Sequence, residues 1–400
     1  MNEATNRRDR FRAAIQKLDP ARPLRMLHET FWRVERDSGL GDIAARLELE
    51  PKSIHLVTGP IGSGKSTELM TLAWMLAETD GLALRDVDAG SLDGAAPITD
   101  ATVAAGIALS FVERLQAEGT TANVKQLSEA VQRILHGSEE YLLPPLHVPP
   151  MFEVTKRPGL LDAATRIFSE YNAELLQVLG AIASAFGASG RTPIVLVDGL
   201  DRLVSGERFD AVALPVLRAL RLSGFGVVMV APWGTTITTR RVDIDPLVDH
   251  TYELLPIQGV LSLPLFFRQM VDKRGVGDFF PTSVAVALSE ASGGIPRDMV
   301  ALAKESLQLA YAGGDDIVIH WYVKSAIDKL GRTMLLGLTA AEVDQLRAVK
   351  ASGQFVPSSV DGQALLATKR ILQFRDLSGL PFYRVHPAIV PLLDASTVIA

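Results

Sequence analysis

The sequence predicts an α/β fold: a parallel sheet flanked by helices, then a helical segment and a smaller C-terminal unit. Three observations lead there. The apolar run Ile54 to Val57 passes through a glycine-rich turn into "ELMTLAWMLAE", whose apolar residues recur at helical spacing. A second run, Ile194 to Val197, is continuously apolar, as a strand covered on both faces should be, and it ends in Asp198. Beyond about residue 258 the strand pattern gives way to helices.

Composition bounds the reading. Four hundred residues, 48% hydrophobic and 22% charged, suffice for two or three packed domains. The chain has no cysteine, which excludes disulfides, thiolate metal sites and a thiol nucleophile. The first residues, "MNEATNRRDRFRAAIQ", lack an apolar core, and no later run approaches the ~20 residues of a membrane span. A cytoplasmic, unanchored protein is therefore expected. A net charge of -6 argues against non-specific coating of nucleic acid while leaving room for a local basic patch.

The turn after the first strand reads "GPIGSGKST", Gly59, Pro60, Ile61, Gly62, Ser63, Gly64, Lys65, Ser66 and Thr67. It satisfies G-x-x-x-x-G-K-[ST], the P-loop, in the strand-turn-helix context that motif needs. Glycines let successive backbone N–H groups point inward and let phosphate oxygens approach, and the helix N-terminus adds partial positive charge. Lys65 is expected at the β- and γ-phosphates of ATP, the Ser66 hydroxyl on Mg²⁺, and Thr67 near the α-phosphate. Asp198, at the carboxyl end of its strand, is the matching metal-side carboxylate. Asp201, three residues on, is the candidate general base or outer metal partner; the plainer alternative is that Asp201 and Arg202 cap and solvate the next helix.

The run Val227 to Ala231 reads as the neighbouring strand, with Thr235 and Thr236 as candidate γ-phosphate sensors and Trp233 as a packing residue. Arg240 or Arg241 is the candidate arginine finger for a neighbouring subunit, against the alternative of a solvated face. "TYELLPI", Thr251 to Ile257, reads as a last strand. Farther on, Pro296 suits the first turn of a helix, which puts Arg297 where a cation opposes the helix dipole. A phosphate partner would explain it, as would neutralisation by Asp298.

The segments "GPIGSGKST", "IVLVDGLDR" and "SGGIPRD", in that order, resemble the AAA+ and STAND classes of P-loop ATPases, particularly their origin-recognition-like and bacterial (antiviral) defence-associated members. The likeness spans about residues 20 to 330. It implies a five-stranded parallel sheet in 5-1-4-3-2 order, a helical lid, a second-sensor role for Arg297, and an N-terminal region wrapping the sheet edge and forming part of the adenine pocket. Two departures stand out: Gly199 occupies the place where many such ATPases carry a glutamate, and the interval from Lys65 to Asp198 implies an insertion.

The expected organisation is an N-terminal linker region (1–50), a P-loop core (51–258) with an insertion at about 100–190, a helical lid (259–335) and a winged-helix-like domain (336–400). Within the insertion, "TDATVAAGIALSFVERLQAEG" reads as a helix capped by Thr99 or Asp100. "HGSEEYLLPPLHVPPMFEVTKRPG" holds five prolines in 24 residues and reads as a loop, either docking a partner or only linking helices. "LLDAATRIFSEYNAELLQVLGAIASAF" resumes as a helix. Thr339 and Glu342 form a capping box, "GQALLATKR" reads as a helix, "ILQFRDLSGLPFYRVH" as a hairpin, and Pro387 as the start of a short helix. Lys369, Arg370, Arg375 and Arg384 are candidate DNA-phosphate contacts, although six basic residues against five acidic ones from Leu338 to Ala400 guarantee no basic face. His28, His55 and His386 have no metal-ligand spacing. The expected function is an ATP-driven switch controlling self-assembly or an effector protein, with slow hydrolysis. The alternatives are a DNA-binding initiator or transposition adaptor, and a small-molecule kinase.

Overall fold

The computed structural model of the chain describes residues 3–20, 34, 39–77, 79–89, 98–119, 124–142, 153–158, 168–203, 206–233, 241–259, 262–357, 360–376 and 378–395. Five strands form one parallel sheet: β1 (Ile54–Thr58), β2 (Leu82–Asp88), β5 (Thr192–Asp198), β6 (Gly226–Val230) and β7 (His250–Glu253). Their spatial order is β2-β5-β6-β1-β7, with every neighbouring pair parallel. Counted along the chain this is the 5-1-4-3-2 order.

The inner strands β5 and β6 carry the continuously apolar runs Ile194 to Val197 and Val227 to Val230 because both their faces are covered, whereas the edge strand β7 is polar and the far half of β2 is mostly so. Side chains alternate between faces along a strand. Ile54, Leu56, Val195, Val197, Val227 and Met229 pack with the helices Asp100–Ala117, Val124–His136, Phe168–Ala188 and Gly206–Ser223. Val57, Ile194, Leu196, Val228 and Val230 pack on the opposite face with the helices Leu40–Leu49 and Lys65–Ala77. Each such fully buried side chain contributes about 1.5–3 kcal/mol relative to exposure.

The last strand is shorter than its sequence run. It stops at Glu253, and Leu254 to Ile257 leave the sheet toward the lid, where Ile257 N donates to Gly294 O at 2.9 Å. The helix Asp100–Ala117 begins at Thr99, whose hydroxyl accepts from Thr102 N while Thr102 returns the bond, a reciprocal cap. The proline-rich stretch departs from the loop expected of it: β3 (Gly137–Leu142) pairs antiparallel with β4 (Glu153–Pro158). Four of the five prolines fall at 144–150, between the strands, and Pro158 ends the second one, where a missing N–H is tolerated.

The helices Ser262–Lys273, Thr282–Ala291, Pro296–Gly313 and His320–Leu335 share a second core. The N-terminal helix Glu3–Lys17 joins this core through Phe11 and Ala14, with Leu18 just after it; residues 21–33, most of the stretch expected at the sheet edge and adenine pocket, lie outside the described residues. Arg7 fixes it there, donating to Ala310 O, Tyr311 O and Asp315 O at the end of Pro296–Gly313 and pairing with Asp316 at 3.1 Å. Of the N-terminal fifty residues, the helix Leu40–Leu49 does flank the sheet.

The C-terminal segment holds the helices Ala340–Ser352, Val360–Ala367 and Val390–Ala395 and the hairpin β8 (Ile371–Arg375)/β9 (Pro381–Val385). The Thr339 capping box forms as read, with Thr339 N donating to Glu342 at 2.7 Å and Glu342 N to Thr339 Oγ1 at 3.3 Å. The final helix starts at Val390, three residues after Pro387, which lies in a turn.

Candidate functional site

The site forms where β1 runs into the helix Lys65–Ala77. Gly59, Gly62 and Gly64 take φ of +152°, +88° and +97°, a region that residues with a Cβ rarely enter. Space reinforces the requirement at two of them. A Cβ on Gly59 would lie 2.5 Å from Leu254 O, and one on Gly62 would lie 2.7 Å from Arg297 Cβ. The cradle is thus closed from outside by the chain leaving β7 and by the first turn of the lid helix.

Lys65 is buried, its side chain 3% exposed. A buried ammonium must have its donors satisfied. Its three N–H groups meet three oxygens: Gly59 O at 2.9 Å, Pro60 O at 3.1 Å and Asp201 Oδ2 at 2.9 Å. Ser63 is buried and Ser66 and Thr67 are half-buried on the same turn.

Two strands away, β5 ends in Asp198, level with Asp88 at the end of β2. Asp198 Oδ1 accepts from Gly199 N at 2.8 Å, and Gly199, at φ +86°, turns the chain into the single helical turn Leu200–Arg202. That turn carries Asp201 back toward β1, where it meets Lys65; it is an ion-pair partner as well as a helix-turn residue. Arg202, largely exposed, lies 3.7 Å from Asp88. Trp233 is buried beyond β6, as a packing residue should be. Thr235, Thr236 and Arg240 lie outside the described residues, as does the side chain of Arg241.

Arg297 begins the helix Pro296–Gly313, with Pro296 at its first position. Its N donates to Gly62 O at 3.2 Å, so it sits directly on the loop, and its side chain is exposed. Asp298 does not neutralise it. That carboxylate is 2% exposed and faces the C-terminal segment, where Lys369 donates to Oδ1 and His386 Nε2 lies 3.3 Å from Oδ2. His386 Nδ1 accepts from Ala388 N at 3.2 Å, which leaves Nε2 as the proton-bearing nitrogen facing Asp298. Burial pushes the Asp298 carboxyl up, but the His386 hydrogen bond and the Lys369 charge outweigh it and hold it below the usual carboxylate range. No sequence motif joined these three residues; their pairing spans 71 and 88 positions of chain.

The four basic residues read as DNA contacts are engaged within the chain. Lys369 serves Asp298. Arg370 donates to Met334 O at 2.7 Å and Leu336 O at 3.3 Å. Arg375 pairs with Glu253 of β7 at 2.5 Å. Arg384 stacks over Phe382, 5.2 Å from the ring centre.

The residues fit a nucleotide polyphosphate: a turn with three bare glycines at positive φ and an ammonium, both at a helix N-terminus. For a magnesium ion the fit is a hydroxyl at Ser66 and a carboxylate at Asp198, few protein ligands being what this ion takes beside phosphates. Among the described residues no cluster of three or more His, Asp or Glu competes as a metal centre.

Strand, phosphate turn, helix and a second strand ending in an aspartate define a P-loop NTPase fold. A solved structure shares it. The Walker-type ATPase paby2304 of Pyrococcus abyssi superposes with a TM-score of 0.54 at 14% identity, over 94% of this chain and 99% of that one. The ORC2 protein of Aeropyrum pernix gives 0.49 at 14%, over 96% and 98%, and the Thermotoga maritima RuvB Holliday junction branch migration motor 0.42 at 12%, over 94% and 99%. At 14% identity the first of these likenesses speaks for the fold alone, and the other two carry no argument. No protein-family model matches the chain, nor does any curated protein.

Proposed function

We propose that the chain is an ATP-binding, Mg²⁺-dependent switch of the AAA+/STAND kind, hydrolysing ATP slowly and controlling self-assembly or the binding of a protein partner. The observation that carries the reading is the contact of Arg297 with Gly62: the first turn of the lid touches the phosphate loop itself. A bound triphosphate gives the exposed guanidinium an anion beside it, favouring the closed lid, and loss of the γ-phosphate removes that preference. Lys65 would hold the phosphate chain, and Ser66 and Asp198 would hold the magnesium ion, which neutralises charge on the phosphates. With Gly199 in place of a carboxylate, Asp201 is the nearest group able to orient or deprotonate the attacking water, and slow turnover follows from its engagement with Lys65.

The test is ATP binding and turnover measured with molecular size. Lys65→Ala should lose nucleotide binding, and Arg297→Ala should bind but no longer change lid protection with ATP. ADP release without any added acceptor separates a hydrolase from a small-molecule kinase. DNA binding through Lys369, Arg370, Arg375 and Arg384 would have to break their internal contacts. A DNA titration at low salt with ATP present checks it, and we expect none through these residues.

A further inference from the structure

We infer that Asp201 is a displaceable counter-ion that sets how tightly the site holds phosphate chains: it keeps the Lys65 ammonium until a di- or triphosphate takes that ammonium over. This rests on the nucleotide-binding reading above and concerns the regulation of the same pocket.

Lys65 has three N–H donors, and three oxygens use them. Donation to a phosphate therefore requires that one be surrendered. Gly59 O and Pro60 O belong to the loop that carries the lysine, and Ser63 N donating to Pro60 O at 3.1 Å ties that loop to itself. Asp201 belongs to a different strand end, reached through the turn at Gly199. Its side chain is 23% exposed against 3% for Lys65, so water can take over the carboxylate when the lysine leaves but cannot easily reach the carbonyls. Asp201 is the partner that can be exchanged.

The consequence is quantitative. Where the pair is the dominant arrangement, apparent affinity falls by the fraction of molecules whose lysine is released; a competent fraction of about one in ten weakens binding about tenfold. The weakening applies only to ligands that need Lys65. ADP and ATP, whose outer phosphates reach the ammonium, carry it, whereas AMP does not. Acting through Lys65, Asp201 is a positioning residue, and a base-only role makes the opposite forecast: turnover falls on substitution while affinity stays.

The experiment measures dissociation constants for AMP, ADP and ATP with magnesium on the full chain, for wild type, Asp201→Asn, Asp201→Glu and Asp88→Asn, with thermal melts to verify folding. Asp201→Asn is expected to tighten ADP and ATP about tenfold and leave AMP unchanged. Asp201→Glu, which restores the charge, should return to within about threefold of wild type; should Asp201→Asn not fold, Asp201→Ser, which also removes the charge, carries the same expectation of about tenfold and the comparison against Asp88→Asn. Asp88→Asn removes a nearby carboxylate that does not touch Lys65 and should tighten binding by no more than about twofold. ADP and ATP affinities unchanged or weakened in Asp201→Asn, or equal tightening in Asp88→Asn, overturn the counter-ion role while leaving the nucleotide reading in place. If neither wild type nor any variant binds ADP or ATP, the nucleotide reading itself falls, and this inference with it.

Discussion

Gly62 is where backbone and lid constrain one residue twice. Its φ of +88° disfavours a side chain, and Arg297 occupies the space a methyl group would need. Gly62→Ala should therefore push Arg297 off the loop and weaken ATP binding by at least about tenfold, read by calorimetric titration, with a modest loss of melting temperature. His55, beneath the same strand, makes a different forecast. It is fully buried, its Nε2 2.7 Å from Ser53 Oγ and its ring stacked on His250 at 5.6 Å. Burial first, then the neighbouring His250, push it down to about 4 from 6.5, against an upward pull from Asp249 and with a lesser downward push from Arg46. Its folded-state value is depressed, so between 6.5 and about 4 the unfolded chain binds the proton and the folded chain does not. Stability is full above pH 6.5 and declines as pH falls through that window, by about 2 kcal/mol after allowance for solvent screening. Urea melts from pH 7.5 to 5 should show the decline, and His55→Gln should flatten it.

Among the elements, those held by local chemistry were legible in the chain. The inner strands β5 and β6 announce themselves by apolar, valine-rich runs, the phosphate turn by its glycines, and the helix Ala340–Ser352 by its cap. Thr339→Ala should cost about 1 kcal/mol of stability in a thermal melt, because the hydroxyl that accepts from Glu342 N is lost. The ribbon of β3 and β4 was hidden because its prolines dominate the composition while sitting between the strands and at one end. The shortening of β7 was hidden too: "LLPI" reads as strand, yet Ile257 N bonds Gly294 O and Leu254 O lies where a side chain on Gly59 would sit. The place of Glu3–Lys17 depends on Arg7 finding carbonyls some 300 residues away, which no periodicity encodes.

Across the whole molecule, the C-terminal segment is held by apolar packing on Ile295 and Met334 and by polar contacts that include Asp298 with Lys369 and His386, Glu253 with Arg375, and Met334 O and Leu336 O with Arg370. Removing Lys369 leaves a carboxylate buried without its cation, so Lys369→Met should cost about 3 kcal/mol. Hydrogen exchange in Ile371–Arg375 should accelerate in that variant, and more so with Arg375→Met added; unaltered exchange in the double variant would mean that apolar packing alone docks the segment. Since the folded-state value of Asp298 is depressed, its contribution is present above the ordinary carboxylate range and is lost only as pH falls into strong acid.

The turn Gly293–Gly294 joins these scales. Gly294 O receives the chain leaving the sheet, a side chain on Gly294 would strike Ile257, and one on Gly293 would strike Leu372 and Pro387 of the C-terminal segment. Two bare residues thus sit where the lid, the chain leaving the sheet and the C-terminal segment meet. Should the lid rotate there, as the switch proposed above requires, the sheet exit and the hairpin would be dragged along, and opening the pocket would reorient the far end of the chain.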